Sequence, residues 1–231
     1  MPTGEVSLAQ RLAGPSAGLL LDLDGTLLDS EPVHQAAFRE YFAGRGWTVA
    51  DDVVAQFAGR RAHEVFPVLD GPWNGEDPYA LTEAVLDALR RTSVRPRPVA
   101  GAVELLAAAS TTALPTVVVT SAGLDWTAPA LEALGWPDLD AVTAEDCTHG
   151  KPDPEPYRRG VERLGLAPEG LVAVEDSPAG VASALAAGVG FVVGVTTGHS
   201  ADALGRAHLL VPDLMLLARA VLAGRTQEGA H

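Results

Sequence analysis

Four short apolar runs constrain this 231-residue chain more than any other feature: Ala17–Leu23 (AGLLLDL), Thr116–Thr120 (TVVVT), Leu171–Val174 (LVAV) and Phe191–Val195 (FVVGV). They show little alternation with polar residues. A strand with one wet face alternates, whereas a strand covered on both faces does not, so these runs predict the central strands of a parallel sheet. Weaker candidates lie at Asp140–Thr143 and His208–Val211. Helical patterns fall between them at Ala100–Ala109, Pro154–Leu164 and Ser177–Ala187. The last has Pro178 early in its first turn and Gly188 just past its end, as helices prefer. Strand and helix in alternation predict an α/β domain with a doubly wound, mainly parallel, Rossmann-like sheet.

The interval from Ser30 to Arg95 breaks this rhythm. It holds helical patterns at Pro32–Gly44, Arg61–Leu69 and Tyr79–Arg91 and no convincing strand. It closes on Arg95-Pro96-Arg97-Pro98, which reads as a stiff linker. The expected organisation is an α/β core from residues 1–29 and 96–231, with an all-helical unit, residues 30–95, inserted after the first core strand. The tail from Arg225 is expected to fray.

Hydrophobic residues make up 47% of the chain and charged ones 20%, enough for a sizeable core. The net charge is −14, and no block of Lys or Arg exceeds a pair. Nucleic acid is therefore not an expected partner, because phosphate backbones need clustered cations. The apolar run at Gly18–Leu21 is broken at once by Asp22 and Asp24, which argues against a membrane span or a signal-peptide core. The single cysteine, Cys147, rules out an intrachain disulfide and suits a reducing compartment. These features predict a cytoplasmic protein. They set no oligomeric state, with a monomer favoured.

The chemistry-bearing residues stand at the ends of strands. The first run leads into Asp22-Leu23-Asp24-Gly25-Thr26, and the LVAV run into Glu175-Asp176-Ser177-Pro178. Ligands of open parallel sheets bind beyond the C-terminal strand ends. Two unit charges roughly 4 Å apart repel by about 4 kcal/mol at an effective dielectric of about 20, so four carboxylates meeting there need a counter-charge. A divalent cation supplies it, and hard carboxylate oxygens together with a phosphate suit Mg²⁺. Either pair alone reads equally well as solvated loop acids or a helix cap. Both together, with Gly25 permitting a tight turn, point to a site. Lys151, in THGKPDPEPY, is the only lysine beside fifteen arginines.

DLDGTLLDS at Asp22–Ser30, VVVTS ending at Thr120-Ser121, GKPDPEPY around Lys151 and VEDSPAGVASALAAG from Val174 resemble, in order, the four motifs of the haloacid dehalogenase-like hydrolase superfamily. The likeness spans nearly all of the chain outside the insertion. The insertion resembles the helical cap of the β-phosphoglucomutase and small sugar-phosphate phosphatase branch. The resemblance implies that Asp22 is a nucleophile forming an aspartyl-phosphate, and that Asp24 is the acid and base. It implies Mg²⁺ held by Asp22, the main-chain carbonyl of Asp24 and Asp176, with Glu175 helping directly or through water. Thr120 and backbone N–H groups, including that of Ser121, would hold a phosphate oxygen. Thr120 reads otherwise as a strand-end residue bonding its own backbone. Lys151 would bridge the Asp22 carboxylate and a phosphoryl oxygen, a task for a compact ammonium rather than a planar guanidinium.

Specificity is expected in the insertion. His34 matches a histidine near the acid/base aspartate of mutase-like relatives, or is a helix histidine without a role. Phe57–His63 resembles the cap loop that reaches substrate, so Gly59, Arg60 and Arg61 are candidate contacts. The two arginines read equally well as a solvated pair. Ala62 stands where the mutase pattern has arginine. The expectation is a Mg²⁺-dependent phosphomonoesterase acting on a small phosphorylated metabolite, a sugar or polyol phosphate. A β-phosphoglucomutase-like isomerase and a non-catalytic phospholigand-binding protein are the alternatives. Asp24 argues against dehalogenation. The absence of lysine in the insertion argues against Schiff-base phosphonate cleavage.

Overall fold

The protein is described by a computed structural model covering residues 3–91 and 95–226. The four apolar runs and both weaker candidates become strands of one sheet. They are β1 (Gly18–Leu21), β2 (Thr116–Val119), β3 (Ala141–Val142), β4 (Leu171–Glu175), β5 (Phe191–Val195) and β6 (Leu209–Val211). Their spatial order is β3-β2-β1-β4-β5-β6 and every pairing is parallel. The helices are α1 (Thr3–Ala13), α2 (Glu31–Gly44), α3 (Asp51–Val54), α4 (Ala62–Val65), α5 (Pro78–Arg91), α6 (Ala102–Thr111), α7 (Leu124–Ala133), α8 (Glu155–Leu164), α9 (Pro178–Ala186) and α10 (Met215–Thr226). The tail expected to fray lies, from residue 227 on, outside the described residues.

Successive side chains of the central strands feed opposite layers, which is why their sequences do not alternate. Leu19, Leu21, Val172 and Val174 pack with α1, α6 and α10 in one cluster. Leu20, Leu171 and Ala173 pack with Tyr157, Val181 and Ala184 of α8 and α9 in another. Both layers are buried, so each strand position is apolar whichever way it points. The chain builds outward from β1 on one side and then resumes beside it with β4. That reversal opens a crevice at the C-terminal ends of β1 and β4. Asp22 and Asp176 follow those two strand ends directly.

The helices α2–α5 bury a third, separate cluster that includes Phe38, Phe42, Phe57, Phe66 and Trp73. The helix expected over Arg61–Leu69 is only one turn, α4, followed by turns. Pro67 explains the stop, since it lacks the N–H that would continue the helix's hydrogen-bond ladder. The Arg95–Pro98 linker is also more structured than expected. Arg97–Pro98 pairs antiparallel with Leu28–Asp29, so the chain entering the helical unit and the chain leaving it form one short ribbon. Helices α1, α7 and α10 lie outside the sequence expectation. Pro129 interrupts the periodicity of α7, and α1 and α10 pack against each other across the termini. Among the described residues no helix is long and apolar enough to cross a membrane.

Candidate active site

Lys151 is the hub of the site. It is 1% exposed, and its Nζ lies 2.6 Å from Asp22 Oδ1, 2.6 Å from Glu175 Oε1 and 2.9 Å from the Val119 carbonyl oxygen. Three acceptors thus converge on a group with three rotatable donors, a requirement that a planar fork does not meet. Burial pulls the Lys151 ammonium down, but the Asp22 and Glu175 charges outweigh it and hold the group above its ordinary value. The expected bridge is present on its Asp22 side. Its other carboxylate partner is Glu175.

Glu175, expected to help hold the metal directly or through water, is also tied to protein donors. It is fully buried, and Oε1 accepts hydrogen bonds from Lys151 Nζ and the Tyr157 hydroxyl, the latter at 2.8 Å. Oε2 accepts from Ser177 Oγ at 3.1 Å. Both oxygens are engaged beneath the sheet edge. Ser177 also caps α9, its Oγ accepting from the Gly180 N–H at 3.0 Å. Gly180 is required there, because a Cβ would come within 1.9 Å of the Glu175 carboxyl.

Asp22, Glu175 and Asp176 form a group that could hold a cation. Ligand atoms of Asp22, Glu175 and Asp176 all lie within 4.8 Å of one another. Asp22 Oδ2 is buried without a hydrogen-bond partner. Burial and the Glu175 charge push the Asp22 carboxyl up to about 7, against the opposing pull of Lys151. Burial, then Asp22, pushes Asp176 well above the carboxylate range. Three carboxylates against one ammonium leave two negative charges unbalanced, the charge of one divalent ion. The residues present therefore fit a hard divalent cation. Gly25 makes the close approach possible. It has φ +83°, and a Cβ on it would meet Asp176 Oδ2 at 2.1 Å. His199, absent from the sequence expectation, places Nδ1 3.9 Å from Asp176 Oδ2.

Asp24 faces the helical unit instead. Its Oδ1 accepts from Ser30 Oγ at 2.6 Å and from Trp126 Nε1 at 2.9 Å, and His34 Nε2 lies 3.8 Å away. His34 and Trp126 are in ring contact, with centroids 4.9 Å apart. His34 is thus beside Asp24, while Ser30 and Trp126 are contacts that local pattern did not reveal. Thr120 is buried, and its Oγ1 accepts from the Ala122 N–H at 3.0 Å. That matches the bland reading of Thr120 and leaves its own hydroxyl proton available.

The helical unit meets the core through polar contacts. Ser121 Oγ donates to the Gly59 carbonyl at 3.2 Å, so this pair joins the two halves directly. Arg61, expected to reach a ligand, turns to the core. Its Nη2 donates to the Ala144 carbonyl at 2.7 Å and its Nη1 to that of Cys147 at 3.1 Å. Arg61 still lines the cavity, and its Nε is buried without a hydrogen-bond partner among the described residues. Glu64 Oε1 accepts from the Gly150 N–H at 2.9 Å, next to Lys151. Arg60 is half-buried in the lining of the intervening cavity.

Residues 19–194 match the family model for haloacid dehalogenase-like hydrolases. The chain belongs to that family. It is 36% identical over 201 residues to the validoxylamine A 7'-phosphate phosphatase of Streptomyces hygroscopicus subsp. limoneus, covering 84% of this chain and 92% of that protein. It is 34% identical over 174 residues to hexitol phosphatase A of Escherichia coli (strain K12), covering 74% and 79%. A hydrolase crystal structure from Pseudomonas syringae superposes with a TM-score of 0.80 at 25% identity, covering 87% of this chain and 96% of the other. As a member of this hydrolase family the chain is an enzyme, and the acidic cluster answers the family's use of a divalent metal.

Proposed function

We propose that the protein is a Mg²⁺-dependent phosphomonoesterase of small sugar or polyol phosphates, with residues 30–95 acting as a cap over the core. One observation carries the reading. Asp22 has one oxygen fixed by Lys151 and the other buried and unpartnered beside Asp176. The two relatives above, named as phosphatases for validoxylamine A 7'-phosphate and for hexitol, support the substrate class.

Asp22 attacks phosphorus while Lys151 holds its Oδ1 in place. The phosphorus–oxygen ester bond breaks, and the departing alcohol oxygen takes a proton from Asp24. Asp24 then removes a proton from water, whose oxygen displaces Asp22 and releases inorganic phosphate. Trp126 and Ser30 orient Asp24 for both transfers. Asp22, Asp176 and the Asp24 carbonyl would hold a divalent cation, with Glu175 helping directly or through water, and the ion would supply neutralisation of the negative charge gathered there. Thr120 and the Ser121 N–H hold a phosphate oxygen. Glu175 keeps Lys151 charged and aimed. The commitment of Arg61 to core carbonyls and the alanine at position 62 support hydrolysis over an isomerase needing a second phosphate clamp.

The test is phosphate release over a panel of glycerol, hexitol and hexose phosphates, with Mg²⁺ and with chelator. Release from panel members that stops on chelation is expected. No release from any member, or undiminished rates in chelator, contradicts the reading.

A further inference from the structure

The backbone leading into Lys151 is held by two carboxylates from different parts of the chain. The Thr148 N–H donates to Glu155 Oε1 at 3.0 Å and the His149 N–H to Glu155 Oε2 at 2.8 Å. Glu155 opens α8, so the core itself fixes these two groups. The next N–H, that of Gly150, donates instead to Glu64 Oε1 at 2.9 Å, and Glu64 belongs to α4 in the helical unit. Gly150 is buried, and a buried N–H left without an acceptor is costly.

The contact is close enough to dictate the residue on the core side. A Cβ at position 150 would lie 2.9 Å from Arg61 Cδ and 3.0 Å from both Arg61 Cγ and Glu64 Oε2. Gly150 lacks the positive φ that favours glycine, so the nearness of Arg61 and Glu64 is what asks for it. Arg61 cannot simply swing aside, because its guanidinium is bonded to the carbonyls of Ala144 and Cys147. Glu64 is not part of the cavity lining, so its only route to the reacting groups is the loop that carries Lys151.

We propose that Glu64 is a positioning residue for Lys151: by accepting the Gly150 N–H it sets the backbone from which the ammonium reaches Asp22. The role rests on the phosphatase reading, in which Lys151 holds the nucleophile. Lys151 Nζ meets its three acceptors at 2.6, 2.6 and 2.9 Å, which leaves little room for displacement. A misplacement of about 1 Å at a reacting centre can cost roughly a hundredfold in rate. Loss of the Glu64 anchor, with Glu155 keeping the other two, is a smaller disturbance. It falls on the attacking carboxylate rather than on the alcohol, and therefore on kcat more than on KM.

The experiment measures phosphate release by the full chain with Mg²⁺, together with residue-resolved amide exchange. The ester is whichever member of the glycerol, hexitol and hexose phosphate panel the wild type releases fastest. Glu64→Ala is expected to lower kcat by about tenfold with KM little changed. Exchange at Gly150 should quicken by about tenfold, while Thr148 and His149 keep their Glu155 partner and change little. Glu64→Gln keeps a carbonyl oxygen for the Gly150 N–H and is expected to restore both readouts. Gly150→Ala parts the same groups from the core side and is expected to reproduce the loss in kcat, which keeps the test decisive if Glu64→Ala does not fold. A rise in KM at unchanged kcat overturns the proposal and leaves the phosphatase reading intact. So does unaltered exchange at Gly150, wild-type kcat in Gly150→Ala, or a Glu64→Gln variant as impaired as Glu64→Ala. No release from any panel member by the wild type overturns both.

Discussion

Lys151 Nζ stands equally far, 2.6 Å, from Asp22 Oδ1 and from Glu175 Oε1. One ammonium therefore ties the proposed nucleophile to a carboxylate at the same level of the neighbouring strand. With the Val119 carbonyl as third acceptor, the geometry of all three N–H bonds is determined.

That geometry bears on Lys151→Arg. The guanidinium keeps the charge but cannot direct donors at three acceptors from one buried point. The variant is expected to lose phosphate-release activity by about a hundredfold or more, comparable to removing a well-placed donor at a reacting group. Near-normal turnover would show that charge alone suffices.

Glu175→Gln separates a lysine partner from a metal ligand. Because both Glu175 oxygens are engaged by Lys151, Tyr157 and Ser177, its loss is expected to lower kcat by about tenfold or more while shifting the Mg²⁺ midpoint much less than Asp176→Asn does. Mg²⁺ titrations of activity for the two variants make the comparison. Equal weakening of metal affinity would make Glu175 a ligand as much as Asp176.

The raised Asp22 and Asp176 carboxyls give the metal-free protein a definite pH dependence. Folded Asp22 holds its proton up to about 7 against an ordinary 3.8, and Asp176 shifts in the same direction. The folded state thus binds more protons than the unfolded chain in this window. Stability is fully present below the unfolded value and is lost as pH rises through about 7. Mg²⁺ binds the ionised form, so its stabilisation should grow across the same window. Melting temperature against pH, with Mg²⁺ and with chelator, checks this. Parallel curves would contradict the assignment.

Arg61→Ala is expected to loosen the contact between the helical unit and the core. The guanidinium satisfies the carbonyls of Ala144 and Cys147, which the variant leaves to water. Amide exchange over residues 144–150 should quicken, and kcat/KM should fall by about tenfold, since closure completes the site. Unchanged exchange in that segment would show that the loop holds itself.

The sheet and its acids were legible because a doubly covered strand is apolar at every position, so a carboxylate at its end stands out. Asp22, Asp24, Glu175 and Asp176 carried that signal, Lys151 stood out as the only lysine, and the structure brings Asp22, Glu175, Asp176 and Lys151 together. The direction of Glu175 was not legible. It adjoins Asp176 in sequence, but strand alternation turns the two to opposite faces and sends Glu175 down to Tyr157. Trp126 was equally hidden. It reaches Asp24 across 102 positions from a helix whose periodicity Pro129 interrupts. Arg61 read as a solvated or ligand-facing cation because its partners are backbone carbonyls, which no side-chain pattern announces. The ribbon joining Leu28–Asp29 to Arg97–Pro98 is likewise a pairing between distant segments, invisible to local composition.

The covalent role of Asp22 is tested most directly by acid-quenching Asp24→Asn during turnover and locating phosphoryl groups by mass spectrometry. With the proposed base removed, hydrolysis of the intermediate slows, and one phosphoryl group should accumulate on the peptide containing Asp22. Product alcohol released without any phosphoryl group on that peptide would contradict the account.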